Sequence, residues 1–262
     1  MVIPEDHSDS VLYEKKEHVA TVIINRPEKR NALRMKEFDS IIKNIQAADS
    51  DPTVHIIRIK SSGDRAFSAG LDLNMIQQMT PETVPKLLQY GYNLVRTMIQ
   101  SKKPIIVQVQ GPAVAWGAII CLAADFVIAG NDPKLFLSLP EIDVGLFPAT
   151  GALTTTLFNT EFRRAKRILM IPEKISLDEA VNLGIITSKH PMDSLEENTM
   201  KFCHELASKP QSILIPIKAL INNFYLRGLE SFFEKETEAF NLAMAGEVDN
   251  FDAFIQKLWK NK

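Results

Sequence analysis

The stretch PIIVQVQGPAVAWGAIICLAADFVIA, Pro104 to Ala129, decides the fold. Pro104 opens a β-branched run, Ile105–Val109, that reads as a strand. Gly111-Pro112 breaks it, small and apolar residues from about Val114 to Ala123 read as a helix, and Phe126–Ala129 reads as a second strand. Strand, helix and strand in immediate succession make a βαβ unit, which implies parallel strands with helices packed outside them.

The same rhythm continues on either side. Towards the N-terminus, Val11–Lys15 and Val19–Ile24 read as a hairpin about a charged turn, and Met35–Ala48 carries Phe38, Ile41, Ile42 and Ile45 at the period of an amphipathic helix. His55–Lys60 is a strand closed by Ser61-Ser62-Gly63-Asp64. Asp72 is placed to cap a helix Leu73–Met79, and Thr80-Pro81-Glu82 reads as the start of another that runs to about Gln100. Beyond the central unit, Lys134–Leu137 is a strand and Ser176-Leu177-Asp178-Glu179 a capping box. Helical periodicity then runs through Leu195–Ala207, Ser212–Asn223, Leu229–Met244 and Phe251–Trp259. The expected organisation is an α/β core over residues 1–190 followed by a helical C-terminal region, 191–262. Helices from Ile213 onward are apolar enough to need a partner surface, either the core or a neighbouring subunit.

Composition narrows the function classes. With 45% hydrophobic residues in a chain of 262, a large core can be buried. Lysine and arginine total 30 against 32 acidic residues, a formal charge of -2, so no whole-protein field draws in nucleic acid or an anionic membrane. The basic run Arg163-Arg164-Ala165-Lys166-Arg167 reads as a solvated helix face. No apolar stretch approaches the ~20 residues of a membrane span. Cys121 and Cys203 form no C-x-x-C pair and read as reduced core residues; with an acidic start that lacks a secretory pattern, a cytoplasmic location is expected. The five histidines show no metal spacing, and no nucleophile elbow, Walker loop or dinucleotide fingerprint occurs.

Three segments carry chemistry. In Phe67-Ser68-Ala69-Gly70-Leu71-Asp72-Leu73, small residues let a ligand come close to the backbone, and the Leu71 N–H stands just before a capped helix. In Gly111-Pro112-Ala113-Val114-Ala115-Trp116-Gly117, the Trp116 N–H falls in the first turn of a helix, where donors have no intrahelical partner. Two such donors can converge on one oxygen where negative charge develops. The third, Leu139-Pro140-Glu141-Ile142-Asp143-Val144-Gly145-Leu146-Phe147-Pro148, offers Glu141 in apolar company, which raises a carboxyl towards the range of a general base. Asp143 reads as structural or solvent-facing. Taken singly, the first two segments read equally well as ordinary strand–turn–helix connections, and Glu141 as a loop glutamate.

Taken in order, these segments and Ile24-Asn25-Arg26-Pro27-Glu28-Lys29-Arg30-Asn31-Ala32-Leu33 make the chain similar to the crotonase, or enoyl-CoA hydratase/isomerase, family over nearly its whole length. The resemblance implies a crotonase-like ββα superhelix core with a helical C-terminal trimerisation region, assembled as a homotrimer or a dimer of trimers. It implies an acyl-CoA thioester substrate and no further cofactor. The thioester oxygen would rest on the Leu71 and Trp116 amides. Adenine and pantetheine would lie against the Lys29–Leu33 segment, with Lys29, Asn31, Ala32 and Leu33, and against the Ala66–Ala69 loop, with Ala66, Ser68 and Ala69.

Departures from the family pattern bear on the reaction. Three consecutive glycines are replaced by Ala115-Trp116-Gly117, so an indole projects beside the donor and reshapes the acyl pocket. Hydratases of the family use two glutamates; the first falls on Ile119 here and the second on Glu141. Hydration needs one group for water and another for the α-proton, whereas shifting a double bond from 3-enoyl-CoA to 2-enoyl-CoA needs a single base. The mitochondrial-type isomerases share this pattern. Bases used by other branches would fall on Ala149 or Thr150, neither a carboxylate. The expected function is enoyl-CoA isomerase; the alternatives are a 2-enoyl-CoA hydratase or other CoA-thioester enzyme, and a non-catalytic acyl-CoA-binding protein. Glu230, Glu234, Glu236 and Glu238 read as a solvated helix face, although a second acid could come from among them.

Overall fold

The computed structural model describes residues 10–80 and 83–245. In chain order the elements are β1 (Val11–Lys16), β2 (Val19–Ile24), α1 (Met35–Ser50), β3 (Ile56–Ser61), α2 (Leu73–Gln77), α3 (Val84–Gln100), β4 (Ile105–Val109), β5 (Ala113–Val114), α4 (Trp116–Ala123), β6 (Phe126–Gly130), β7 (Phe136–Ser138), α5 (Ala152–Asn159), α6 (Phe162–Met170), β8 (Ile175–Ser176), α7 (Leu177–Asn182), β9 (Ser188–His190), α8 (Leu195–Ala207) and α9 (Gln211–Met244).

Six strands form the main sheet in the order β1-β2-β3-β4-β6-β9. The first pair is the expected hairpin, antiparallel with Val11 opposite Ile24. All other neighbours are parallel, with Ile57 opposite Ile105 and Val107 opposite Val127 in the central βαβ unit. The inner strands β2, β4 and β6 read as largely apolar runs because both faces are covered. Alternate residues serve different layers: Val19, Ile56, Ile106 and Ile128 pack under Leu195, Cys203 and Ala207 of α8. Their neighbours Ala20, Ile57, Ile105 and Val127 join the larger core with Phe38, Ile41 and Ile45 of α1, Leu94 and Met98 of α3, and α4.

A second sheet, β5-β7-β8, stands apart from the first. Its strands have two or three residues each, too short for any hydrophobic period. The parallel pair β5–β7, with Ala113 opposite Leu137 and Val114 opposite Ser138, is nevertheless what brings two of the three chemical segments together.

Other expectations need revision. Pro81 and Glu82 lie outside the described residues, as does Phe251–Trp259. Helix α3 begins at Val84; Thr83 precedes it, its hydroxyl accepting from Thr80 N–H at 2.9 Å and donating to Thr80 O at 3.0 Å. The separate helices Ser212–Asn223 and Leu229–Met244 are one helix, α9. Gly228 does not break it, because that glycine serves contact: a Cβ there would stand 2.7 Å from the Phe158 ring of α5. The basic run does lie on a helix face as expected, with Arg163, Lys166 and Arg167 exposed on α6; Arg164 pairs with Glu173 at 2.6 Å and with Glu179, and Arg167 with Glu173 at 3.0 Å. No described helix is long and apolar enough to cross a membrane.

Candidate active site

The Phe67–Leu73 segment is tied down on both sides. Leu33 N–H donates to Gly70 O at 2.7 Å and Asp72 N–H to Leu33 O at 2.9 Å. In an extended segment successive groups point in opposite directions, so with Gly70 O and Asp72 N–H aimed at Leu33, the Leu71 N–H is aimed away. Asp72 caps α2, accepting from Asn74 N–H at 3.0 Å, and forms a buried pair with Arg26 at 2.9 Å. Burial alone would raise this carboxyl; the hydrogen bond and charge of Arg26 outweigh it and leave it lowered.

The second segment is stitched to the first. Val114 N–H donates to Ser68 O at 2.9 Å, and a Cβ on Gly117 would meet that same carbonyl at 2.6 Å. Gly70 has φ +90, and a Cβ there would lie 2.8 Å from Ala115 Cβ and 3.4 Å from Trp116 N. The two loops thus touch at the residues that flank the two donors. Ala115 takes φ 49 and ψ -115, which turns the chain into α4 with Trp116 as its first residue. Among the described residues neither the Leu71 nor the Trp116 amide has an acceptor.

Glu141 arrives from the other side. Ala115 N–H donates to Ser138 O at 2.8 Å, so the end of β7 lies against the second loop. Pro140 then starts a 3-10 turn, Glu141–Val144, closed by Gly145 at φ +70. The residue as a whole is half-buried, yet its Oε2 is sealed from solvent with no hydrogen-bond partner among the described residues. Burial pushes its pKa up to about 7. Asp143 is exposed, as expected, and Ile119 is buried on α4.

Residues expected on the nucleotide side come together as backbone. Ala69 N–H donates to Arg30 O at 2.9 Å, and Ser68 Oγ donates to Asn31 O at 2.8 Å. The Asn31 side chain is fully engaged: its Oδ1 accepts from Arg26 N–H at 3.0 Å, and its Nδ2 donates to Ser62 O and Ala66 O at 2.9 and 3.0 Å. Ala32, Leu33, Ala66 and Ser68 are buried, Ala69 is half-buried and Lys29 is exposed. A ligand at this edge would meet main chain, Ala69 and the Lys29 side chain; Asn31 holds the loops in place.

Glu236 does not belong to a solvated face. It is 2% exposed, and its carboxylate accepts from Gly151 N–H at 2.6 Å and Thr154 Oγ1 at 3.3 Å, at the start of α5. Burial raises its pKa to about 7, against the lowering effect of those hydrogen bonds. The signal was its spacing: with Leu229, Phe233 and Phe240 it follows the i, i+4, i+7, i+11 stripe of the covered side of α9.

A groove of about 360 Å³ opens elsewhere between α9 and the ends of α3, α4 and α5, lined by Phe158, Ile217, Ile221 and Phe224. Its charged groups, Lys218 and Asp125, are spent on each other at 2.6 Å. The Leu71, Trp116 and Glu141 loops carry two amides without acceptors and a carboxyl oxygen without a partner among the described residues; the groove is lined by no free carboxyl.

A family model described as enoyl-CoA hydratase/isomerase matches residues 14–258. The chain is 27% identical over 251 residues to the crotonyl-CoA hydratase of Syntrophomonas wolfei, covering 95% of this chain and 96% of that protein. It is 26% identical over 254 residues to the short-chain-enoyl-CoA hydratase of Clostridium acetobutylicum, covering 95% of each. A solved structure of an enoyl-CoA hydratase from Mycobacterium avium subsp. paratuberculosis superposes with a TM-score of 0.79 at 26% identity, covering 95% of this chain and 94% of that one.

Proposed function

The chain belongs to the enoyl-CoA hydratase/isomerase family and has its crotonase-type α/β fold, and on that premise we propose that it moves the double bond of a 3-enoyl-CoA to the 2-position with Glu141 as its one base. The observation that carries this reading is Glu141 Oε2, sealed and unpartnered among the described residues, on a carboxyl raised to about 7, in a segment whose preceding strand is tied by Ser138 O to Ala115 N–H, next to one of two amides without acceptors. The Glu141 carboxylate takes a proton from C2 of the 3-enoyl thioester, and the electron pair passes through the thioester carbonyl to its oxygen. The Leu71 and Trp116 N–H groups hold that oxygen as charge develops; losing one such donor typically costs ~10²–10³ in rate. The protonated Glu141 then delivers the proton to C4, the double bond settles between C2 and C3, and the carboxylate is regenerated. A base near neutrality suits both halves of this transfer.

Hydration of a 2-enoyl-CoA is the second reading, favoured by the names of the two relatives. Against it stands Ile119, an alkyl side chain where hydratases of the family carry their first glutamate, buried to 2% exposure. In both readings the CoA portion lies along Lys29–Leu33 and Ala66–Ala69. The exposed apolar residues of α9, Ile217, Leu220, Ile221 and Phe224, support assembly as a homotrimer or dimer of trimers.

The test is a paired assay with a 3-enoyl-CoA and a 2-enoyl-CoA, following double-bond migration and water addition separately. Migration without hydration is expected, and Glu141→Gln is expected to lose ~10²–10⁴ in kcat while CoA-ester binding persists. Rapid hydration by the wild type overturns the isomerase reading. Absence of turnover on both substrates leaves another CoA-thioester reaction or an acyl-CoA-binding protein.

A further inference from the structure

Trp116 gives the site its backbone donor and, through its side chain, a wall. The indole is 5% exposed and sits edge-on to Phe38 of α1, with ring centroids 4.7 Å apart at 87°. Its six-membered rim reaches α3 at Gly91. A Cβ on Gly91 would collide with Trp116 Cζ2, stand 2.7 Å from Cη2, and come within 3.1 Å of Thr150 Cβ. Gly91 is therefore a notch in α3 cut to the indole rim, and Thr150 closes the same corner. Behind that corner Tyr92 is stacked on Phe233 of α9 at 3.6 Å, and Gly151 is held by Glu236.

An acyl group whose thioester oxygen rests on the Trp116 amide begins its chain beside the residue that carries this indole. Carbons beyond C4 that continued past Trp116 towards α3 would meet the indole rim at Gly91. The indole occupies that space and is wedged there.

We infer that Trp116, seated in the Gly91 notch, makes this a short-chain site, selecting acyl groups of about four carbons over those of eight or more. The inference rests on the acyl-CoA reading of the site, whichever reaction it performs. One methylene more or fewer in an apolar pocket discriminates roughly 10–200-fold, so a filled pocket suffices to exclude longer chains.

The experiment measures kcat/KM of the wild type, Trp116→Ala and Trp116→Leu with enoyl-CoAs of four, eight and twelve carbons. In parallel, calorimetry measures binding of butanoyl-, octanoyl- and dodecanoyl-CoA. The wild type is expected to prefer four carbons by at least 10-fold, in turnover and in affinity. Either variant is expected to raise the ratio of eight- to four-carbon kcat/KM by 10-fold or more, because the donor is main chain and only the wall is removed. A wild type that accepts eight or twelve carbons as well as four overturns the inference, as does a ratio unmoved in a folded variant. If no enoyl-CoA is turned over but saturated four-carbon CoA is still preferred, the catalytic reading fails and the short-chain wall stands.

Discussion

Gly151 N–H donates to Glu236 Oε2 at 2.6 Å, joining the turn that follows the Glu141 loop to a helix 85 residues further along the chain. Residues 145–151 form a loop with three left-handed positions, Gly145, Thr150 and Gly151, whose near end is pinned by Gly145 N–H to Ile142 O and Leu146 N–H to Glu141 O. Its far end is defined by Glu236. Replacing Glu236 by Ala strands the Gly151 amide and the Thr154 hydroxyl beside a cavity, and a loss of about 2–4 kcal/mol is expected in urea unfolding at pH 5.5. Glu236→Gln keeps an acceptor for Gly151 and should stay within ~1 kcal/mol at that pH. Equal losses in the two variants would show that packing, not the hydrogen bond, is what Glu236 supplies.

The pH dependence follows from Glu141. Its folded pKa, about 7, lies above the ordinary 4.5, so between those values the folded state holds a proton that the unfolded state has released. The associated stability is full below pH 4.5 and is lost as pH rises through 7. With Glu141 as the proposed base, activity runs the other way, because only the carboxylate can take a proton. kcat/KM is expected to climb from pH 5.5 and level off above an apparent pKa near 7. Glu141→Gln should be inactive, and more stable than wild type at pH 8 by on the order of 3 kcal/mol, with little difference at pH 4.5. A flat pH–rate profile across this range would falsify the assignment of Glu141 as base.

Gly70 is the point where the two donor loops touch. At φ +90, with Ala115 Cβ 2.8 Å and Val114 O 3.0 Å from where a Cβ would stand, Gly70→Ala has to push the Trp116 segment away from Leu71. The expected result is a fall of ~10²–10³ in kcat, together with a stability loss above ~2 kcal/mol. Thermal unfolding and steady-state kinetics on the same preparation separate the two. A variant with native kcat would mean that the amides need not converge.

Much of this arrangement was legible before any coordinates. The hairpin, the central βαβ unit, the Asp72 cap and the free amides of Leu71 and Trp116 are local consequences of β-branched runs, small residues and helix starts. What could not be read has a common physical origin, which is pairing between segments far apart in the chain. Strands β5 and β8 exist because backbone groups meet across tens of residues, and two-residue strands carry no period; β7 is legible as the strand Lys134–Leu137, but its partners are not. Asn31 sits in a recognisable motif, but that its side chain is spent on three hydrogen bonds, to Arg26, Ser62 and Ala66, is legible only in the folded chain. Glu236 was read by its charge, although its place on the Leu229–Phe233–Phe240 stripe already marked it as facing inward.

Ala115 is the one residue of the second loop whose backbone works against its side chain. Its φ of 49 with ψ of -115 belongs to a region that L-residues with a Cβ enter at a cost of order 1–3 kcal/mol and glycine enters freely. That conformation aims Ala115 N–H at Ser138 O and leaves Trp116 N–H facing the site, so the strain is tied to the donor's direction. Ala115→Gly removes the strain and adds flexibility to the unfolded chain, worth ~0.5–1 kcal/mol in the opposite sense. The balance favours glycine, and a rise of about 1 kcal/mol in urea unfolding free energy is expected. Relief of strain does not improve the donor, because the Trp116 amide is already held by Ser138 and Ser68 through its neighbours; kcat should be equal or somewhat lower. A destabilised Ala115→Gly would mean that the methyl group, pressed against Gly70, contributes more as packing than it costs as strain, and the two loops would then be held together by that contact as well as by their hydrogen bonds.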